Sequence, residues 1–145
     1  MGRRSSGAVI KAFRQEVHDS FLPVTRDLVL NGPEFDDAVV QTMTYGRDGV
    51  RYRLFLDTAE MTISTSVELE TGSGRLVAEL DGLVAVSGIA SAGDVRHAAR
   101  TVHDLRTTLR AQAALVRRLD PLLRRPDGST AESMFRGVGA KEWSG

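Results

Sequence analysis

Met61-Thr62-Ile63-Ser64-Thr65-Ser66-Val67-Glu68-Leu69-Glu70 is the stretch on which the fold turns. Met61, Ile63, Thr65, Val67 and Leu69 alternate with Thr62, Ser64, Ser66, Glu68 and Glu70. Successive side chains of a strand point to opposite faces. This strand therefore has one apolar and one polar side, the pattern of an antiparallel sheet covered on a single face.

The alternation extends in both directions. Upstream, Val50, Tyr52, Leu54 and Leu56 oppose Arg51, Arg53, Phe55 and Asp57. Before them Val39, Gln41, Met43 and Tyr45 alternate with Val40, Thr42 and Thr44, and Gly46-Arg47-Asp48-Gly49 supplies a hairpin connection. Downstream, Thr71-Gly72-Ser73-Gly74 is a turn and Leu76, Ala78 and Leu80 form a fourth inner face. Asp81-Gly82 then reads as a tight turn into a further strand over residues 83–89.

Both flanks carry a helical period. Ile10, Phe13, Val17 and Phe21 recur at steps of three and four. Pro23 divides this segment from a second short helix that stops at Asn31-Gly32-Pro33. On the other side, Ser91 is the expected N-cap of a long helix, with Asp94 in its first turn. Val95, Val102, Leu105, Leu109, Val116 and Leu119 form its apolar stripe, and Asp120-Pro121 marks a break. The sequence thus predicts an α+β fold. An antiparallel meander sheet of four to five strands carries an N-terminal helix pair and a long C-terminal helix on one face. Residues 1–6 read as a frayed leader, 7–125 as a single domain and 126–145 as a flexible tail.

Composition narrows the function classes. The 145 residues are 41% hydrophobic, enough for one sizeable core, and 19 basic side chains balance 19 acidic ones. No overall field draws the chain to nucleic acid or membrane, so any electrostatic partner must recognise a local cluster. Cysteine is absent, which removes disulfides and thiolate chemistry and suits the cytoplasm. No run approaches the length of a membrane span. Arginine outnumbers lysine 17 to 2, a bias that, with abundant Ala, Gly and Val, points to a GC-rich bacterial genome.

Four features are candidates for function. On a continuous C-terminal helix, Arg96, Arg100, His103 and Arg106 fall with Arg110, Arg117 and Arg118 in an arc of roughly 120°. Guanidinium groups pair bidentately with carboxylates and phosphates, so this arc fits an acidic protein surface, with Arg100, Arg110 and Arg117 central. An ordinary solvated helix face is the plainer reading. The polar sheet face presents Arg51, Arg53, Phe55 and Arg75, a set that suits single-stranded nucleic acid, although Asp57, Glu68, Glu70 and Glu79 offset its charge. Phe135 and Trp143 in the tail could dock on a partner or fold back on the core. The three histidines, His18, His97 and His103, have neither metal-ligand spacing nor a nucleophile beside them.

The expectation is a non-enzymatic interaction module, an adaptor, chaperone-like or regulatory protein that binds a protein partner or itself as a homodimer, with no cofactor and no metal. Nucleic-acid binding, through the arginine face of the C-terminal helix or through the polar sheet face, is the alternative. A small-molecule carrier or enzyme comes third and predicts a polar pocket beside Tyr45 or Tyr52.

Overall fold

The computed structural model describes residues 2–124 and 129–144. In chain order the elements are α1 (Gly2–Leu28), β1 (Asn31–Asp36), β2 (Thr42–Arg47), β3 (Val50–Asp57), β4 (Thr62–Thr71) and β5 (Gly74–Glu79). They continue as α2 (Leu80–Val86), α3 (Val102–Leu123), α4 (Ser129–Gly137) and β6 (Lys141–Ser144). The six strands form one antiparallel sheet in sequential order, β1 to β6.

The expected α+β meander is present, with β2 to β5 read from their alternation. Met43 and Tyr45 of β2, Val50 to Leu56 in alternation on β3, Ile63 to Leu69 on β4, and Leu76 and Ala78 on β5 are all buried. Asp48 and Gly49 close the β2–β3 hairpin, both with φ in the left-handed region, as a two-residue turn of this hand requires.

Four details differ from the sequence reading. The N-terminal helix pair is one helix, because α1 runs through Pro23. Val9, Phe13, Val17, Phe21 and Val24 are all buried, so the apolar stripe continues across the proline. Pro23 itself is exposed, as is Asp19 one turn before it, so the missing amide falls on the polar side of the helix. The helix ends instead at Val29, whose φ of 55° places a β-branched residue where glycine is usual, and the Leu30 amide bonds the Thr25 carbonyl at 3.0 Å. Asn31-Gly32-Pro33 then opens edge strand β1.

The fifth strand expected over residues 83–89 is absent, and residues 80–86 form α2. Leu80, Leu83 and Val84 are its buried residues, a helical spacing hidden inside a continuous apolar run. Six strands result because β1 and β6 complete the sheet. The long helix spans Val102 to Leu123, starting at Val102 rather than Ser91 and running through Pro121 where a break was expected, with the Thr101 hydroxyl accepting from the Asp104 amide at 3.0 Å. Residues 97–99 are extended and run beside β4 where β5 has departed: the Ile63 amide bonds the His97 carbonyl at 2.8 Å, and the Ala99 amide bonds that of Met61 at 3.0 Å.

Of the leader, Met1 lies outside the described residues and 2–6 open α1. Of the tail, 126–128 and 145 lie outside them, whereas α4 buries Ala131 and Phe135 and β6 pairs with β5. The core contains the α1 stripe, Leu105, Leu109, Val116 and Leu119 of α3, and Phe135, against the inner face of the sheet.

Candidate interaction face on the open side of the sheet

Outward-pointing residues of β3, β4 and β5 bring together Arg51, Arg53 and Arg75 around Glu68. Register explains the grouping: Arg51 lies opposite Glu68, Arg53 opposite Ser66, and Arg75 opposite Glu70. Arg53 Nη2 is 3.4 Å from Glu68 Oε1 and Arg75 Nη1 is 3.9 Å from Oε2. The Glu68 side chain is only 8% exposed although it points away from the core. Long arginine stems can cover neighbouring surface while their charged ends stay wet, which accounts for a buried carboxylate on this side. Arg51, its direct cross-strand neighbour, is exposed and has no ion pair among the described residues.

Gly46 makes this arrangement possible. A Cβ there would lie 2.9 Å from Arg51 Cγ and 2.9 Å from the Val50 carbonyl oxygen, so only glycine lets the Arg51 stem lie across β2. Around it is a half-open groove of about 480 Å³, bounded by Glu34 of β1, Thr44 and Gly46 of β2, the Arg47–Val50 turn, and Glu68, Glu70 and Arg75. Phe55, expected to share this face with the arginines, lies four residues along β3 from Arg51 and pairs with Thr42 and Ser64, away from the groove.

The arginine arc does not survive as one surface. Arg96 and Arg100 precede α3. Arg96 is exposed but folds against α3, its Nε donating to the Thr108 hydroxyl at 3.2 Å and its Nη2 lying 3.5 Å from Asp104. Arg106 makes a two-pronged contact with Glu16 of α1, both bonds at 2.9 Å, and Arg117 pairs with Asp27. The steps from Glu16 to Asp27 and from Arg106 to Arg117 are equal, so α1 and α3 run parallel and are joined at matching positions three turns apart. Arg118 reaches the Ile89 carbonyl at 3.5 Å. Arg100, His103 and Arg110 are exposed without an ion pair among the described residues. The register that sets these arginines against Glu16 and Asp27 is tertiary, and Glu16 is itself buried by the contact.

Phe135 is fully buried in the core, whereas Trp143 of β6 is 53% exposed opposite Arg75. A second shallow groove of about 540 Å³ lies there, lined by Trp143, Arg75 and the β4–β5 turn. Trp143 therefore joins the open sheet face, a neighbour that only strand pairing reveals.

Several polar groups inside the molecule act as fasteners, whereas the Tyr45 hydroxyl is buried without a hydrogen-bond partner among the described residues. Gln112, fully buried on α3, accepts from the Thr65 hydroxyl at 2.7 Å and donates to the carbonyls of Ile63 at 3.0 Å and Arg96 at 2.7 Å. Tyr52 donates to Asp120 Oδ2 at 2.6 Å, and Arg124 Nε donates to the same carboxylate. Burial, the Asp120 charge and this hydrogen bond raise the Tyr52 phenol well above its ordinary range against the opposing pull of Arg124, so it acts as a neutral donor. Tyr45 stacks on Phe21 with ring centres 5.5 Å apart, and burial pushes its phenol up to about 12. Both tyrosines belong to the buried hydrophobic core, the place where the third reading, a carrier or enzyme, requires a polar pocket.

His97 Nδ1 is 2.7 Å from the Ile63 carbonyl and Nε2 is 2.7 Å from Asp81 Oδ2. Each ring nitrogen faces an acceptor, which favours the imidazolium and leaves neither nitrogen to act on a substrate. His18 and His103 are exposed on α1 and α3. Among the described residues no three His, Cys, Asp or Glu side chains are grouped to hold a metal ion.

Compared with protein-family models, curated proteins and solved structures, the chain matches none. No helix among the described residues is long and apolar enough to cross a membrane.

Proposed function

We propose that the chain is a non-enzymatic interaction module whose working surface is the bare outer face of the sheet. The observation that carries this reading is the groove over Gly46, where an unpaired Arg51 stands beside a carboxylate buried under Arg53 and Arg75. A sheet with helices on one side only needs a polar outer face, but a wetted face does not need a buried carboxylate or a glycine floor. Arg106, Arg117 and Arg96 are engaged within the molecule, so the α3 surface has fewer groups to offer than its sequence implies. The partner class is a protein surface or a second copy of the chain.

Affinity purification of the tagged chain from its source cells, with and without nuclease, tests the reading against two variants. A partner kept by the Arg100→Glu/Arg110→Glu variant and lost by Arg51→Glu/Arg75→Glu supports the sheet face. The reverse pattern restores the helix face, and loss on nuclease treatment alone favours nucleic acid.

A further inference from the structure

We infer that the groove on the outer sheet face binds an extended peptide strand of a protein partner, with acidic side chains at its centre and basic ones at its ends. The inference rests on the sheet-face reading above and adds the chemistry of the occupant.

Charge placement carries the argument. Glu34, Arg51 and Glu70 all line the groove and none has a side-chain partner among the described residues. Glu68 is already held by Arg53 and Arg75. The groove therefore offers one unpaired guanidinium between two unpaired carboxylates. Glu70 is fixed at the hairpin end, its Oε2 3.5 Å from where a Cβ of Gly49 would sit. Glu34 lies on β1 opposite Thr44.

Register sets the spacing. From Glu34 to Glu70 the path crosses three strand steps and four residues along the strands. At about 4.8 Å per strand and about 3.4 Å per residue this is a diagonal of about 20 Å, with Arg51 between its ends. Six residue steps of extended chain span about 20 Å, and alternate side chains of such a chain share one face. A strand lying obliquely over the groove thus meets Glu34 and Glu70 with cations at positions one and seven. The acidic residues at positions three and five flank Arg51, which lies near the middle of the path, while Arg75 stands beyond Glu70 on β5 and reaches back toward Glu68. The groove is open and its walls are polar, which suits a peptide better than an enclosed apolar ligand.

Two end-blocked heptapeptides of identical composition test this: Lys-Thr-Glu-Thr-Glu-Thr-Lys and its charge-reversed form Glu-Thr-Lys-Thr-Lys-Thr-Glu. Both are neutral overall, so non-specific attraction cancels. In NMR titrations of the full chain the first binds about tenfold more tightly, a ratio that a few exposed ion pairs supply. Shifts centre on Gly46, Arg51 and Glu70. Arg51→Glu, at an exposed position, removes or reverses the preference, and Arg51→Gln weakens it. Equal affinities, no binding of either peptide, or a preference that persists in Arg51→Glu overturns the inference. If the peptides fail while Arg51→Glu/Arg75→Glu still loses a cellular partner, the occupant is wrong and the sheet-face reading stands.

Discussion

Replacing Asp120 by alanine removes an anion that joins the end of α3 to the sheet. Its carboxylate is 1% exposed, accepts from Tyr52 at 2.6 Å and from Arg124 Nε at 2.9 Å, and Arg124 Nη1 reaches on to the Arg47 carbonyl at 2.7 Å. The variant leaves a fully buried Tyr52 hydroxyl without an acceptor and an Arg124 guanidinium, 14% exposed, without its counter-charge. Breaking a buried pair from one side costs about 3–5 kcal/mol. Arg124 retains the Arg47 carbonyl and some water, so the lower end applies, about 3 kcal/mol. Tyr52→Phe removes one hydrogen bond to a charged acceptor while Asp120 keeps Arg124, a loss of about 1.5 kcal/mol. In the double variant there is no orphaned hydroxyl, and the loss stays near about 3 kcal/mol, a coupling of about 1.5 kcal/mol. Urea melts monitored by circular dichroism read these values directly, because a slope of about 2 kcal/mol/M converts 3 kcal/mol into a midpoint shift of about 1.5 M. Strictly additive losses, or a loss below about 1 kcal/mol for Asp120→Ala, would refute the fastener.

Two further predictions concern the loop and the tail. Burial alone would lower the His97 pKa, but the Asp81 hydrogen bond, the Ile63 carbonyl and the charges of Asp81 and Glu79 outweigh it and raise it above 6.5. Its contribution is therefore complete below about pH 6.5 and disappears as pH rises through the folded-state value. Glu79, raised chiefly by burial and by Asp81 and lowered by the His97 charge, acts in the same direction, so the difference between wild type and His97→Gln reports the histidine together with its coupling to Glu79. The urea midpoint of the wild type falls between pH 6 and 8.5 more than that of His97→Gln, and parallel curves would exclude the clamp. Phe135→Ala costs about 3–5 kcal/mol because the ring is fully buried, whereas Trp143→Ala, half exposed, changes stability by about 0.5 kcal/mol or less. Urea melts of the two variants check this, and equal small effects would return α4 to the status of a loose tail.

The candidate face was partly legible. Arg51, Arg53 and Arg75 could be assigned to one polar face because a period of two is a local property of the chain. That Glu68 would be their shared centre, and that Gly46 would make room for Arg51, depends on which residues stand opposite each other across strands. Trp143 was read as part of a tail because four residues give too short a pattern to declare a strand. The arginine arc failed for a different reason. Helical projection assumes a continuous helix, and residues 97–99 instead took the hydrogen-bonding positions along β4 that β5 left vacant.

By itself the sequence determines the class of this protein, since the alternation from Met43 to Ala78 admits only a sheet covered on one side. It also determines where the hairpins fall, because Asp48-Gly49 and Gly72-Ser73 meet the backbone demands of tight turns locally. The tertiary structure alone decided that α1 passes through Pro23, that residues 80–86 form a helix rather than a strand, and that β1 and β6 close the sheet's edges. Each of those outcomes depends on apolar surface and hydrogen-bonding groups supplied by elements distant in the chain, which no local pattern can report.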